Sequence, residues 1–218
     1  YQRNLEVLVE ERTNDLRKTL QQLKNSYDMT LQALVASLDA REHQTGNHSQ
    51  RVSMYAILLA KGVGIKSKDL GAISKGAMLH DIGKIGIPDN ILLKPGKLTA
   101  GEWSLMRMHP EICYTILKVI DFLEPSLCIV LNHHERFDGT GYPKGLKGEA
   151  IHISARITAL ADVFDALGND RSYREAWEME TILDLIRRER GAHFDPVLVD
   201  LFFANIDTIL AIRTRLAE

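Results

Sequence analysis

The sequence predicts an all-α fold in which a helical bundle follows one long N-terminal helix. Apolar residues recur in steps of three and four along most of the chain, whereas no segment shows the period-two alternation of a half-buried strand. Glycine and proline are absent from residues 1–45 and afterwards fall between the periodic segments, where they indicate loops. At 218 residues, the chain is long enough for one sizeable core with an appendage, or for two small domains.

The composition argues against several classes of partner. The net charge is −2, so neither a nucleic-acid polymer nor an anionic membrane is expected to bind, although a local cationic pocket is still possible. No apolar run approaches the roughly 18 residues of a membrane span. Cys113 and Cys128 have no ligand spacing, and we interpret them as reduced core thiols of a cytoplasmic protein. Because the chain begins at Tyr1 rather than Met, we expect it to be part of a longer polypeptide.

The first predicted helix spans residues 1–45 and carries a single apolar stripe. Its first half is too polar around the stripe for a core helix, so residues 1–38 are interpreted as a coiled-coil linker that forms a homodimer. The linker would join an upstream sensor or receiver domain to a catalytic domain at residues 39–218. The alternative is an amphipathic helix that packs on its own domain. The stripe consists of Leu16, Leu20, Leu23, Tyr27, Leu31, Leu34 and Leu38.

The next predicted helices end in metal-capable side chains. One helix begins near His48, and another, capped by Ser67, runs into the pair His80–Asp81 in its last turn. Gly83 and the residues after it then break the helical pattern.

Two further helices also lead to histidines. A capping box at Thr99 and Glu102 starts one of them, which ends at His109. The other begins at Pro125 and runs into the adjacent pair His133–His134.

The glycine-rich segment 135–148 is predicted to be a loop. Ser154 is predicted to cap the following helix, on which Asp162 and Asp165 lie one turn apart. Three more helices complete the chain, at about 179–190, from 196 and at 206–216.

Many histidines at helix ends predict a metal site. A single histidine is more often a core or cap residue, but five imidazoles and two carboxylates facing one core would be costly to desolvate without a cation. Imidazole and carboxylate without thiolate favour iron or manganese, with zinc or nickel also possible, over magnesium. Seven ligands are too many for one ion, so two ions about 3.5 to 4 Å apart are expected. The candidates are His48, His80, Asp81, His109, His133, His134 and Asp162.

The motifs resemble those of the HD-GYP family of cyclic dinucleotide phosphodiesterases. The resemblance covers about residues 36–205 and implies a helical HD-domain bundle that binds two or three metals and hydrolyses cyclic di-GMP. The run His133-His134-Glu followed by Asp-Gly-x-Gly-Tyr-Pro is far more specific than an isolated His-Asp pair. The motifs are Thr45-Gly-Asn-His48, His80-Asp81-Ile-Gly-Lys84, His109-Pro110, His133-His134-Glu-Arg-Phe-Asp138-Gly-Thr-Gly141-Tyr142-Pro143 and Ala161-Asp162-Val-Phe-Asp165.

The resemblance also implies roles for individual residues. A first metal would be held by His48, His80, Asp81 and Asp162, and a second by Asp81, His109, His133 and His134. Asp81 would bridge the two ions, and Asp81 and Lys84 would both be required for catalysis. Phosphate or substrate contacts are implied for Lys84, Asp165, Arg171 and Arg174, although a surface lysine and two solvated arginines are the simpler alternative.

Two features of the sequence qualify the resemblance. Some members use a glutamate four residues before the first histidine for a third metal, whereas Gln44 stands here, so a dinuclear site and a mainly linear product, pGpG, are expected. The loop around Gly141-Tyr142-Pro143 would either close the rim over the second metal or contact a GGDEF-domain partner. Hydrolysis of cyclic GMP-AMP, a weakly active dinucleotide sensor and a simpler HD nucleotidase are the competing functions.

Overall fold

Helices form nearly all of the regular structure. The computed structural model describes residues 2–42, 47–169 and 176–216. No strand occurs within these ranges, where an isolated bridge joins Arg190 and Phe194, so the all-α prediction is confirmed. The α-helices are α1 Gln2–Glu42, α2 His48–Gly62, α3 Leu70–Leu79, α4 Asp89–Leu92, α5 Ala100–Met106, α6 His109–Leu117, α7 Leu127–Asn132, α8 Ile153–Leu167, α9 Met179–Arg188, α10 Pro196–Ala204 and α11 Ile206–Arg215. Short 3-10 turns lie at Ile82–Gly86, Asp121–Ser126 and Gly148–Ala150.

The larger core lies between α2, α3, α8 and the three C-terminal helices. Its centre is aromatic: the ring of Phe164 lies 5.4 Å from Tyr55 and 5.1 Å from Phe202, in both cases edge to face. Each large side chain buried in this way contributes about 1.5 to 3 kcal/mol to folding. This packing fixes α2 against α8, and those two helices carry His48 and Asp162.

The smaller core contains the C-terminal third of α1. Leu31, Val35 and Leu38 are buried there against Leu79 and Cys113, among others. The helix thus packs on the bundle from Leu31 onward, before the predicted domain boundary between residues 38 and 39. The same apolar stripe continues without a break from the exposed part of the helix into the buried part.

The first part of α1 has an exposed apolar stripe. Leu5, Leu16, Leu20 and Leu23 are each about half exposed. No helix among the described residues is both long and apolar enough to cross a membrane. The stripe is the pattern expected of a helix that pairs with a second helix.

The predicted helix caps are confirmed only in part. The capping box is confirmed, since Thr99 Oγ1 accepts from the amide of Glu102 and Glu102 Oε2 accepts from the amide of Thr99. Ser67 is not a cap, because residues after it form a turn and α3 begins only at Leu70. Ser154 is not the cap of α8 either.

The residue that caps α8 is His152, whose ring nitrogen accepts from the amide of Ser154 at 3.3 Å.

Both cysteines are free thiols, as predicted, but only Cys113 is buried in the core. Cys128 is partly exposed, and its Sγ lies 3.5 Å from Nδ1 of His152. Cys128 nevertheless packs against the larger core, so it lies at the edge of that core rather than inside it.

Candidate metal centre

The helix ends converge on one site. His48 and His109 are the first residues of α2 and α6, and His80 and the pair His133–His134 directly follow the ends of α3 and α7. His109 thus begins a helix rather than ending the preceding one. Asp81 follows His80, and Asp162 lies within α8. All seven side chains that the sequence assigned to metals lie in this place.

The donor atoms form two groups, within each of which they lie no more than 4.8 Å apart. The first group contains His48, His80 and Asp162, with Asp162 Oδ1 at 3.4 Å from His48 Nε2 and 3.6 Å from His80 Nε2. The second group consists of Asp81, His109, His133 and His134.

Asp81 lies between the two groups. Its Oδ1 is 3.3 Å from His109 Nε2, and its Oδ2 is 3.4 Å from His80 Nε2. One carboxylate oxygen therefore faces each group, which is the arrangement that a bridging ligand requires.

A close approach of two backbone segments brings Asp81 to His109. A Cβ atom on Gly83 would lie 1.9 Å from the carbonyl oxygen of His109 and 2.6 Å from the amide nitrogen of Cys113. Only glycine therefore allows the 3-10 turn Ile82–Gly86 to lie directly on the start of α6.

Backbone carbonyls orient three of the histidines in the same way. Nδ1 of His80 lies 2.7 Å from the carbonyl of Ala77, and His109 and His133 make the same contact three residues back, at 2.8 and 3.0 Å. A carbonyl only accepts, so each Nδ1 carries a proton and leaves Nε2 as the nitrogen that is available to a metal. This is the tautomer that binds a metal through Nε2.

The donor set fits divalent cations. Nε2 of His48 and of His80 are buried and have no hydrogen-bond partner within the part of the chain that the structure describes. Nε2 of His109 and of His133 lie 3.4 Å apart, and with the protons on Nδ1 neither nitrogen can donate to the other. Buried lone pairs that face one another are unfavourable unless a cation lies between them. A divalent cation held by each of the two donor groups, with the carboxylate of Asp81 between them, would satisfy these nitrogen atoms.

The charge states also suit metal binding. Burial disfavours ionised Asp81, but Lys84 and His80 hold the pKa of its carboxyl well below the ordinary range. Burial opposes the charged form of Asp162 as well, but His48 and His80 lower the pKa of that carboxyl. Burial, together with the neighbouring imidazoles, lowers the pKa of His134 to about 3. The carboxylates are therefore ionised and this imidazole is neutral, as ligands must be.

Asp165 lies behind the site rather than in it. It is buried, its Oδ2 is 2.7 Å from Nδ1 of His48, and Arg51 donates to both of its oxygens at 2.7 and 2.9 Å. Both oxygens of Asp165 are thus engaged inside the core, which argues against the predicted contact of this residue with substrate. Its position is that of a carboxylate that orients a metal-binding imidazole.

Lys84 lies at the edge of the site. Its Nζ is 2.7 Å from Asp81 Oδ2 and 3.2 Å from Glu42 Oε2, so it is close to the carboxylate that lies between the two donor groups. Sequence reasoning missed Glu42, because a glutamate at the end of a polar helix has no distinguishing pattern. The predicted contacts Arg171 and Arg174 lie outside the described residues, as does Gln44.

A cleft of about 760 Å³ opens over the donor groups. Asp81, His109, His134 and Asp162 contribute to its lining, and Lys84 lies beside them. The remaining lining is largely apolar and includes residues that the sequence did not single out: Ile91, Leu92, Leu98, Trp103, Met106, Val163, Ala166 and Leu167, with Lys94 and Lys97.

The glycine-rich loop covers His134. The ring of Tyr142 stacks on that of His134 at 4.8 Å, and a Cβ on Gly141 would lie 2.6 Å from the carbonyl oxygen of His134. The buried carboxylate of Glu135 accepts from the amides of Lys144 and Leu146 at 2.7 and 3.0 Å and so fixes the loop. These contacts support the role of the loop as the rim of the site.

A family model described as an HD domain matches residues 32–198. The chain belongs to the HD domain family. The match begins beside Leu31, where α1 joins the smaller core, and so agrees with the packing of this HD domain.

Curated relatives of this HD domain are named as cyclic dinucleotide phosphodiesterases. The cyclic di-GMP phosphodiesterase response regulator RpfG of Xanthomonas campestris is 46% identical over 173 residues, which are 78% of this chain and 46% of the relative. The 3'3'-cGAMP-specific phosphodiesterase 2 of Vibrio cholerae is 42% identical over 206 residues, 94% of this chain and 38% of the relative. The chain thus spans about half or less of the length of these relatives, whose names confirm the resemblance drawn from the motifs.

Solved structures share the fold of this HD domain. A cyclic GMP-AMP phosphodiesterase of V. cholerae superposes with a TM-score of 0.66 at 20% identity, over 86% of this chain and 52% of that one. An HD-GYP-like protein of Bdellovibrio bacteriovorus has a TM-score of 0.59 at 23% identity, over 73% and 51% of the two chains.

Proposed function

We propose that this HD domain is a metal-dependent phosphodiesterase that hydrolyses cyclic di-GMP, mainly to linear pGpG with slower cleavage to GMP. The observation that carries the proposal is the position of Asp81, with one oxygen toward each of two donor groups at the floor of a cleft. Relatives named as cyclic di-GMP phosphodiesterases support the choice of substrate.

The residues around the cleft have separate roles. His48, His80, Asp81 and Asp162 would hold one ion, and Asp81, His109, His133 and His134 the other. Two divalent cations bound there would lower the pKa of water and neutralise charge on a phosphate. The Nζ of Lys84 would contact a phosphate oxygen and leave its pairing with Asp81, whose charge the cations then balance. Iron or manganese suits the donors best, with zinc or nickel as alternatives.

Metal counting combined with a product assay tests this function. Protein purified without oxygen and loaded with iron or manganese should bind two ions per chain and convert cyclic di-GMP to pGpG. Asp81→Asn should lose both ions and all turnover, because the shared carboxylate serves both groups. Three tightly bound ions per chain would refute the dinuclear site.

Cyclic GMP-AMP is the second candidate substrate, since a relative 42% identical to this chain is named as specific for it. The same assay run with both dinucleotides at equal concentration distinguishes the two by their kcat/KM values. Tight binding of either compound by fully metallated protein without hydrolysis would instead favour a sensor.

The contacts of α1 support regulation through that helix. Nη1 of Arg41 donates to the carbonyls of Lys84 and Ile85 at 3.1 and 3.2 Å, and Nη2 donates to that of Ile87 at 2.7 Å. A shift of α1 would therefore move the turn that directly follows Asp81. The exposed stripe on the first part of α1 favours a homodimer, through which an upstream sensor or receiver domain would act.

Sedimentation of the chain at high concentration tests the dimer, and a monomer would contradict it. A GGDEF-domain partner at Gly141-Tyr142-Pro143 is a separate proposal. The other parts of the proposed function do not depend on it. A cytoplasmic location is proposed because cyclic dinucleotides are the expected substrates.

A further inference from the structure

One wall of the cleft comes from a segment that holds no metal donor. Residues 91–106 contribute Ile91, Leu92, Leu98 and Met106 to the lining, and Trp103 is the one aromatic side chain of that segment. Trp103 is 47% exposed although it lies in the same cleft as the metal donors. A large aromatic surface that stays open beside a catalytic site is a typical ligand contact.

The position of Trp103 is fixed from two sides. The capping box of Thr99 and Glu102 starts its helix, and Lys94 Nζ lies 2.6 and 2.8 Å from the two carboxylate oxygens of Glu102. The guanidinium carbon of Arg107 is 5.9 Å from the centre of the Trp103 ring, within the range of a cation–π contact.

The same guanidinium connects this wall to the metal site. It lies 5.2 Å from the ring of Tyr142, which in turn stacks on His134 at 4.8 Å. Trp103, Arg107, Tyr142 and His134 therefore form a continuous series of contacts from the outer wall to a donor of the second group.

We infer that Trp103 is the stacking surface for one purine of the cyclic dinucleotide. The inference rests on the proposed function, because that substrate carries two purines beside two phosphates. With one phosphate at the donor groups, the attached nucleoside must lie against a wall of the cleft. Trp103 offers an open ring on such a wall. Stacking on a tryptophan tolerates any base, so Trp103 should raise affinity without distinguishing guanine from adenine.

Steady-state kinetics of manganese-loaded Trp103→Ala test the inference. KM should rise about tenfold for both cyclic di-GMP and cyclic GMP-AMP, with kcat little changed, because loss of one stacked base weakens binding by roughly that factor. Trp103→Phe should retain most of the affinity. Leu105→Ala is the matched control, since Leu105 lies on the same helix, is 44% exposed and does not line the cleft.

Two further readouts separate stacking from a structural role. Methyl 4-nitrophenyl phosphate has no purine, so Trp103→Ala should hydrolyse it like the wild type and bind the same number of ions. Equal loss with this small diester, or a lower metal content, would overturn the inference, as would unchanged KM values for both dinucleotides. If the wild type hydrolyses the small diester but neither binds nor hydrolyses a cyclic dinucleotide, the proposed function fails, and the stacking role with it.

Discussion

Asp165→Asn tests how the first metal group is held. Both oxygens of Asp165 accept from Arg51, and one of them also accepts from His48, whereas an asparagine replaces one oxygen by an NH2 group that only donates and so faces another donor. The imidazole of His48 would then lose the carboxylate that fixes its orientation and its tautomer. Loss of such an outer contact lowers metal affinity about 10- to 100-fold, which corresponds to about 1.4 to 2.7 kcal/mol. Breaking the buried pair with Arg51 should also destabilise the fold by about 3 kcal/mol.

The effect should be confined to one ion. His133 and His134 have no contact with Asp165 among those described, so the second group should keep its affinity. Titration of metal-free protein with manganese, followed by calorimetry, should show one site weakened and one unchanged. Equal weakening of both sites, or of neither, would refute the positioning role.

Asp195→Asn is the matched control for this experiment. Asp195 is also a buried carboxylate paired with an arginine, Arg156, but it lies at the start of α10 and is not among the metal donors. Its replacement should cost comparable stability and leave both manganese affinities unchanged. A control that also lost one ion would show that destabilisation alone explains the loss.

Three further predictions concern catalysis, pH and packing. Lys84→Ala should keep both ions and lower kcat about 100-fold, measured with cyclic di-GMP, and loss of an ion would contradict its role. Burial lowers the pKa of His193 from 6.5 to about 4, so the unfolded state takes up the proton first and stability falls as the pH drops from 6.5 toward 4. Between pH 7.5 and pH 5 the wild type should lose about 1 to 2 kcal/mol more than His193→Gln in urea unfolding, and parallel curves would contradict this. Gly83→Ala should destabilise the fold by at least about 2 kcal/mol and weaken metal binding, because the added Cβ meets His109. Gly101→Ala has open space and should be nearly neutral, so equal melting temperatures of the two variants would refute the packing argument.

The metal donors could be predicted from the sequence because their chemistry is unusual. Histidines such as His48 and His80 stood at the ends of apolar helices, where an unsatisfied imidazole is costly. The spacing of apolar residues was equally informative, because it located α8 and α10. The pair Asp195–Pro196 also marked the start of α10. The point at which α1 begins to pack on the bundle was harder to predict, because the same apolar stripe continues from the exposed part of the helix into the buried part.

Other features depend on tertiary packing and could not be predicted. Asp162 and Asp165 are similar carboxylates one turn apart, yet the first faces the cleft and the second faces Arg51 inside the core. Only the packing of α8 on α2 decides between them. Trp103 carried no ligand pattern, and its place in the cleft depends on a short helix whose position the sequence does not define.

Anomalous diffraction from a manganese-loaded crystal tests the central claim most directly. The donor geometry predicts two peaks about 3.5 to 4 Å apart, with a carboxylate oxygen of Asp81 bonded to each. A single peak, or a pair of peaks that Asp81 does not bridge, would contradict the dinuclear centre on which the proposed hydrolysis depends.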